Sequence, residues 1–262
     1  MGKISGVKLI LITPIFIVIT HALAMLPHEY AHSFMAWGLG YKSNPFALQY
    51  GDISWQNLLF LVKMDENVNY NMIFSSKHGI HAAIIAFAGA GIANVILFIL
   101  SFLCLRNPKI KQLPYLLYFI FLFNLMNLGN FYDYVPIRTI APYDGGNDVA
   151  TFVKGLDISP WWVYIIGGYI VAFLIWQFFT RTLILAYVNL EISNIFSKAF
   201  IMISCVVFLF GFYGMPGGIP GLFEYGDVSF CLSITSIAAI PGIIVAAWPT
   251  RIWVKTEEKR YF

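Results

Sequence analysis

Six apolar runs, each close to the length needed to cross a lipid bilayer, recur along the 262 residues at 9–26, 80–105, 113–131, 161–180, about 195–213 and 228–248. A spanning helix needs about 20 apolar residues, and inside hydrocarbon every backbone N–H and C=O must find its partner within the segment or in a closed barrel. These runs are continuously apolar and do not alternate, so helices are expected. Charged residues make up 11% of the chain, against the roughly 25% of an ordinary soluble domain. The sequence therefore predicts an all-α polytopic membrane protein of about six transmembrane helices, a single membrane domain whose immediate partner is the lipid bilayer.

Eleven of the sixteen basic residues fall on one side of such a bundle: Lys3 and Lys8, the cluster Arg106, Lys109 and Lys111, then Arg181 and Lys198, and the terminal Arg251, Lys255, Lys259 and Arg260. Cytoplasmic loops retain Lys and Arg, so both termini are expected in the cytoplasm. The net charge of +3 thus reports orientation. No basic and aromatic stripe suited to nucleic acid lies outside the membrane. Lys3, Lys8 and Ala22-Leu23-Ala24 have the outline of a secretory signal, but cleavage there would strip away the turns that precede the histidines discussed next, and retention is expected. Cys104, Cys205 and Cys231 are isolated in or beside apolar spans and read as packing residues. Residues 41–78 differ in texture, mixing Asn, Asp, Ser and aromatics. Short alternation over 46–55, punctuated by Gly51 and Asp52, suggests a small irregular or strand-forming segment over the first helix.

The first run leads straight into His28-Glu29-Tyr30-Ala31-His32. On a helix, side chains four apart share a face, so both imidazoles can bind one metal while Glu29 reaches a metal-bound water as general base. Ionisable groups inside a membrane helix cost roughly 2.5 kcal/mol or more at its centre, so three on one turn need a shared purpose. Zn2+ is the expected cofactor, held by His28 and His32. His21, one heptad earlier on the same face, reads as a satisfied interior polar group. A catalytic zinc takes three protein ligands and leaves a fourth position open. The third must come from elsewhere, and the aspartates of segment 133–148 supply candidates. Asp144 is followed by two glycines. Asp148 directly precedes Val-Ala-Thr-Phe, where a helix start favours a carboxylate. Asp133 is the weaker candidate because its surroundings read equally well as a helix end. Asn124, Asn127 and Asn130 recur every three residues and should face the bundle interior.

Together these features resemble the site-2 protease family of intramembrane zinc metalloproteases, over roughly residues 9 to 160. His28-Glu29-x-x-His32 followed by Ala36 and Gly40 resembles the family's first core helix. Gly89-Ala90-Gly91-Ile92-Ala93-Asn94 resembles its Gly-Pro-x-x-Asn element, with Ala90 where the proline would stand. Asp144-Gly145 resembles the Asp-Gly of its third core helix, whose aspartate completes the zinc site. Pro136 lies six residues after Asn130 and eight before Asp144, unlike the family's tighter spacing, and the third ligand stays open between Asp144 and Asp148. The resemblance implies a three-helix catalytic core within residues 1–160 and accessory transmembrane helices over 161–262. It implies hydrolysis of a peptide bond in or near a membrane-protein substrate helix. Asn94 is then expected to bind substrate backbone or oxyanion, and the 46–55 stretch to pair with an extended substrate. A catalytically silent membrane binder and a transporter are the alternative readings. Loop charges place the motif toward the non-cytoplasmic end of its helix.

Overall fold

The structure, a computed structural model, describes residues 6–61, 63–142, 147–216 and 225–261. Among the described residues, six helices are long and apolar enough to cross a membrane. They are α1 (Gly6–Gly38), α4 (Gly79–Leu105), α5 (Pro114–Ile137), α7 (Pro160–Asn189), α8 (Ile195–Phe212) and α9 (Gly226–Ala246). Among the described residues there are also four short α-helices, α2 (Trp55–Phe60), α3 (Tyr70–Ser75), α6 (Asp148–Leu156) and α10 (Ile252–Lys259), and a 3-10 turn at Ile110–Gln112. Each of the six apolar runs in the sequence corresponds to one long helix, so the chain is an all-helical, multi-pass membrane protein.

Local chemistry sets the helix ends. Pro114 and Pro160 open their helices at the first turn, where a missing N–H has no cost. Asn194 caps α8 by accepting from the amide of Phe196 at 2.8 Å. Helix α1 closes where the Tyr41 amide returns to the Ala36 carbonyl at 2.9 Å and Gly40 takes a φ of +83°, the left-handed conformation that glycine adopts without strain.

Burial identifies the central helix. Of the apolar window of α5, 67% is buried, against 17% for α7 and for α9, whose remaining surface faces outward as lipid-exposed helices require. The asparagine row lies on the inner face, as its three-residue spacing predicts. Asn124 donates to the Phe98 carbonyl at 2.7 Å and to Ser101 Oγ at 2.8 Å, and Asn127 Oδ1 accepts from Asn94 at 2.9 Å. These bonds tie α5 to α4, each at about 0.6 kcal/mol by the average measured between membrane helices. Thr13 and Tyr118 share a hydrogen bond of 2.6 Å that joins α1 to α5.

The described residues of 41–78 form an irregular cover over the end of α1 and the start of α4. No strand is present among the described residues; the sheet-like element is one antiparallel bridge between Gln49 and Asp65. The alternation over 46–55 is interrupted because Ser54 caps α2, accepting from the Asn57 amide at 3.3 Å. Ser and Asn favour such caps over extended pairing. The cover is anchored by Ser33 Oγ donating to the Pro45 carbonyl at 2.7 Å and by a small core of Ala36, Tyr70, Ile73, Ala82 and Ile85.

Helix α6 lies directly on the start of α4. A Cβ built on Gly155 would meet the Ala83 amide nitrogen at 2.9 Å, and one on Gly79 would meet the Gly155 carbonyl at 2.9 Å. Small residues on both helices therefore let the two backbones touch, and this contact fixes where the N-terminus of α6 falls.

Candidate metal centre

Three elements converge near the ends of α1 and α4 on the side of the irregular cover. Helix α1 brings His28 and His32, both essentially fully buried, into edge-on contact with ring centroids 4.7 Å apart. The first residue of α6, Asp148, reaches them from 116 and 120 positions further along the chain, with its Oδ2 3.1 Å from each Nε2. The two Nε2 atoms are themselves 3.0 Å apart. The histidines lie six to ten residues before the end of α1, which at 1.5 Å per residue sets the site roughly 10–15 Å inside the helix end.

The outer nitrogens fix the tautomers. His32 Nδ1 is 2.6 Å from the Ile85 carbonyl, and a carbonyl can only accept, so Nδ1 carries the proton. His28 Nδ1 is 2.8 Å from Asn94 Oδ1 and donates in the same way. Two neutral imidazoles so held present bare lone pairs at Nε2. With the Asp148 oxygen they make three electron-rich atoms at mutual distances of 3.0–3.1 Å, an arrangement that repels itself unless positive charge lies among them. Tetrahedral zinc, with bonds of about 2.0–2.1 Å, separates its ligand atoms by about 3.3 Å. Two imidazole nitrogens and a carboxylate oxygen at this spacing fit a zinc ion.

Gly89 leaves room for that ion. A Cβ on Gly89 would contact His32 Nε2 and lie 2.7 Å from both Cε1 and Nε2 of His28, so any larger residue would occupy the space between the imidazoles. Gly89 and Asn94 both belong to a π-helical turn, Ala88–Asn94, inside α4. In an α-helix residues five apart point about 140° away from each other. The i→i+5 winding of a π-turn stacks them on one side, so one short stretch supplies both the open space and the partner of His28.

Asn94 is fully engaged. Its oxygen accepts from His28, and its nitrogen donates to the Ala24 carbonyl at 3.1 Å and to Asn127 Oδ1 at 2.9 Å. The Ala24 carbonyl is one turn before Pro27, which interrupts the amide ladder of α1. With oxygen and nitrogen both committed, Asn94 holds the first histidine in place. Such partners tune metal affinity by roughly 10–100-fold. Asn94→Ala is expected to weaken zinc binding by about that factor while leaving one ion per chain at saturation, measured by competition with a chromophoric chelator.

Among the described residues, Asp148 is the candidate aspartate that meets the histidines. Asn147 caps α6 by accepting from the amides of Val149 and Ala150 at 3.0 and 3.3 Å, and Asp148 follows as the first helical residue, where a carboxylate is favoured. Asp144 lies outside the described residues. Asp133 is committed elsewhere: Arg138 grips it through Nε at 2.9 Å and Nη2 at 2.5 Å.

Other neighbours had no signal in the sequence that pointed to a site. Tyr134 stacks on His28 with centroids 4.9 Å apart and planes 17° apart, and the Arg138 guanidinium lies over the Tyr134 ring, 5.0 Å from its centroid. Glu66, in the irregular cover, is buried, and burial, with the negative charge of Asp148 adding to it, raises its carboxyl pKa. Glu29 is buried on the same turn as the histidines and shares an electrostatic environment with His32, Glu66 and Asp148. His21 is separate from the centre, bonded through Nδ1 to Tyr213 Oη at 2.7 Å.

A cleft of about 540 Å³ runs between α4 and α7 and ends at the centre. Phe87, Gly91, Phe98, Val163 and Ile166 line its sides, and Asp148 is the charged residue in its wall. Comparison of the chain with family models, with curated proteins and with solved structures gives no match. What the protein does therefore rests on the residues and geometry of this centre.

Proposed function

We propose that this protein is a membrane-embedded zinc metallopeptidase that cuts a peptide bond in or near a membrane-spanning segment of another protein, in the manner of the site-2 proteases it resembles. The observation that carries the reading is the meeting of His28, His32 and Asp148 within 3.1 Å of one another beside the buried carboxyl group of Glu29. His28 Nε2, His32 Nε2 and Asp148 Oδ2 are the atoms that would hold a zinc ion.

A zinc ion bound there would supply Lewis acidity, enough to make a water nucleophilic near neutral pH and to polarise a carbonyl. Glu29, adjacent to the first ligand, takes the proton of the attacking water on its carboxylate and returns it to the leaving amine nitrogen. Asn94 and the Ile85 carbonyl keep both Nε2 lone pairs aimed at the metal by holding the Nδ1 protons. Tyr134 covers one face of His28 and shuts water out from that side. The cleft between α4 and α7 offers an apolar path from the lipid to Asp148, suited to an extended stretch of a membrane-spanning substrate.

The test measures metal and cleavage on the same preparation. The full-length protein, purified in detergent without chelators and reconstituted in vesicles, is expected to carry one zinc per chain and to cut membrane-spanning peptides at an intramembrane bond. Asp148→Ala should lose both zinc and cleavage. Protein without zinc, or an Asp148→Ala variant that retains a full equivalent, overturns the assignment.

A further inference from the structure

The five histidines of the chain are His21, His28, His32, His78 and His81, and the last two form a second cluster far from the first in sequence. His78 Nδ1 lies 2.7 Å and His81 Nδ1 2.8 Å from one atom, the phenol oxygen of Tyr41. The two imidazole rings are 5.3 Å apart and inclined by 34°, and both rings meet the tyrosine ring at a steep angle. The backbone fixes this grouping. Tyr41 follows the left-handed Gly40 that terminates α1, and His78 and His81 bracket the first turn of α4, where the His81 amide bonds to the His78 carbonyl at 2.9 Å.

The phenol oxygen has one proton and can donate it to one imidazole only, so the other imidazole must donate to the phenol. A cation can replace that shared proton and draw on all three atoms. Two imidazole nitrogens and a phenolate oxygen are the donors that copper and zinc ions favour over calcium or magnesium. His78 and its bond to Tyr41 are exposed, leaving a side through which an ion and its remaining waters can approach. Two lysines neighbour the cluster in sequence: Lys77 directly precedes His78, and Lys42, next to Tyr41, is directed away, donating to the carbonyls of Ala47 and Glu66.

We propose that Tyr41, His78 and His81 form a second, surface binding site for a divalent ion of the copper and zinc group. The site joins the end of the helix that carries His28 and His32 to the start of the helix that carries Gly89 and Asn94. An ion there clamps the two helices that build the buried centre. The proposal does not depend on the buried centre being catalytic.

Its test uses the full chain with the buried site removed. A His28→Ala/His32→Ala variant titrated with Zn2+ or Cu2+ is expected to bind one ion per chain, with imidazole nitrogen couplings in the Cu2+ electron paramagnetic resonance spectrum. Adding His78→Gln and His81→Gln should abolish that binding. Tyr41→Phe, which keeps the ring, should weaken it by about tenfold or more, within the range that a lost metal partner produces. Circular dichroism confirms that each variant is folded. Equal ion uptake with and without His78 and His81, or a Cu2+ spectrum lacking nitrogen couplings, overturns the site. Failure of the buried centre to hold zinc in the otherwise unaltered protein leaves these outcomes unchanged, so the two readings fail separately.

Discussion

Glu29→Gln is expected to keep a full equivalent of zinc and to lose cleavage by at least about 100-fold, the lower end of what a positioned general base contributes. The substitution preserves shape and removes only the ability to accept a proton. It also replaces an ionisable group in a buried position with a neutral one, so folding should not suffer, because uncompensated charge is what membrane burial penalises. Zinc content by mass spectrometry and cleavage of a membrane-spanning peptide, on the same sample, separate the two effects. A variant that cuts at the original rate removes Glu29 from the chemistry, and one that loses zinc shows that the carboxyl group supports the metal centre itself.

Gly89→Ala is expected to be nearly as damaging, through metal loss. Its single added carbon would meet His32 Nε2 and approach Cε1 and Nε2 of His28 at 2.7 Å, well inside ordinary van der Waals contact. Neither imidazole can retreat without breaking its Nδ1 hydrogen bond, to Asn94 in one case and to the Ile85 carbonyl in the other. The expected result is zinc content below about one-tenth of an equivalent at concentrations that saturate the natural protein, consistent with losing two ligands from a three-ligand set. The same change at Gly168, whose added Cβ would meet nothing within 4 Å, is the control for a general effect of glycine replacement. Normal zinc binding in Gly89→Ala would mean that the imidazoles do not converge as described.

Membrane spans are legible in a sequence because hydrocarbon imposes one rule on each segment separately. Residues 80–105 must satisfy their own backbone whatever the neighbours do, and the corresponding helix, Gly79–Leu105, begins within one residue of the apolar run. The His28 and His32 pair is legible for the same reason, since four residues of α-helix put them on one face. The asparagine row on α5 follows from a periodicity that needs no partner to be read.

Three-dimensional contact decided the remainder. The π-turn over Ala88–Asn94 has no pattern in its residue types that announces it, yet it sets Gly89 and Asn94 on one side and makes Asn94 the support of His28. The irregular cover formed one bridge and two short helices where alternation had suggested pairing, because caps and turns at Gly51 to Ser54 claimed the backbone first.

The sequence by itself determined a six-helix membrane protein with two histidines and a glutamate on one turn of its first helix, because helical periodicity and the demands of lipid act over a few residues. Only the tertiary structure brought Asp148 to those histidines from 116 and 120 positions away. That meeting depends on Asn147 capping α6 and on Gly79 and Gly155 letting two backbones touch, and close packing between distant segments leaves no trace in local pattern.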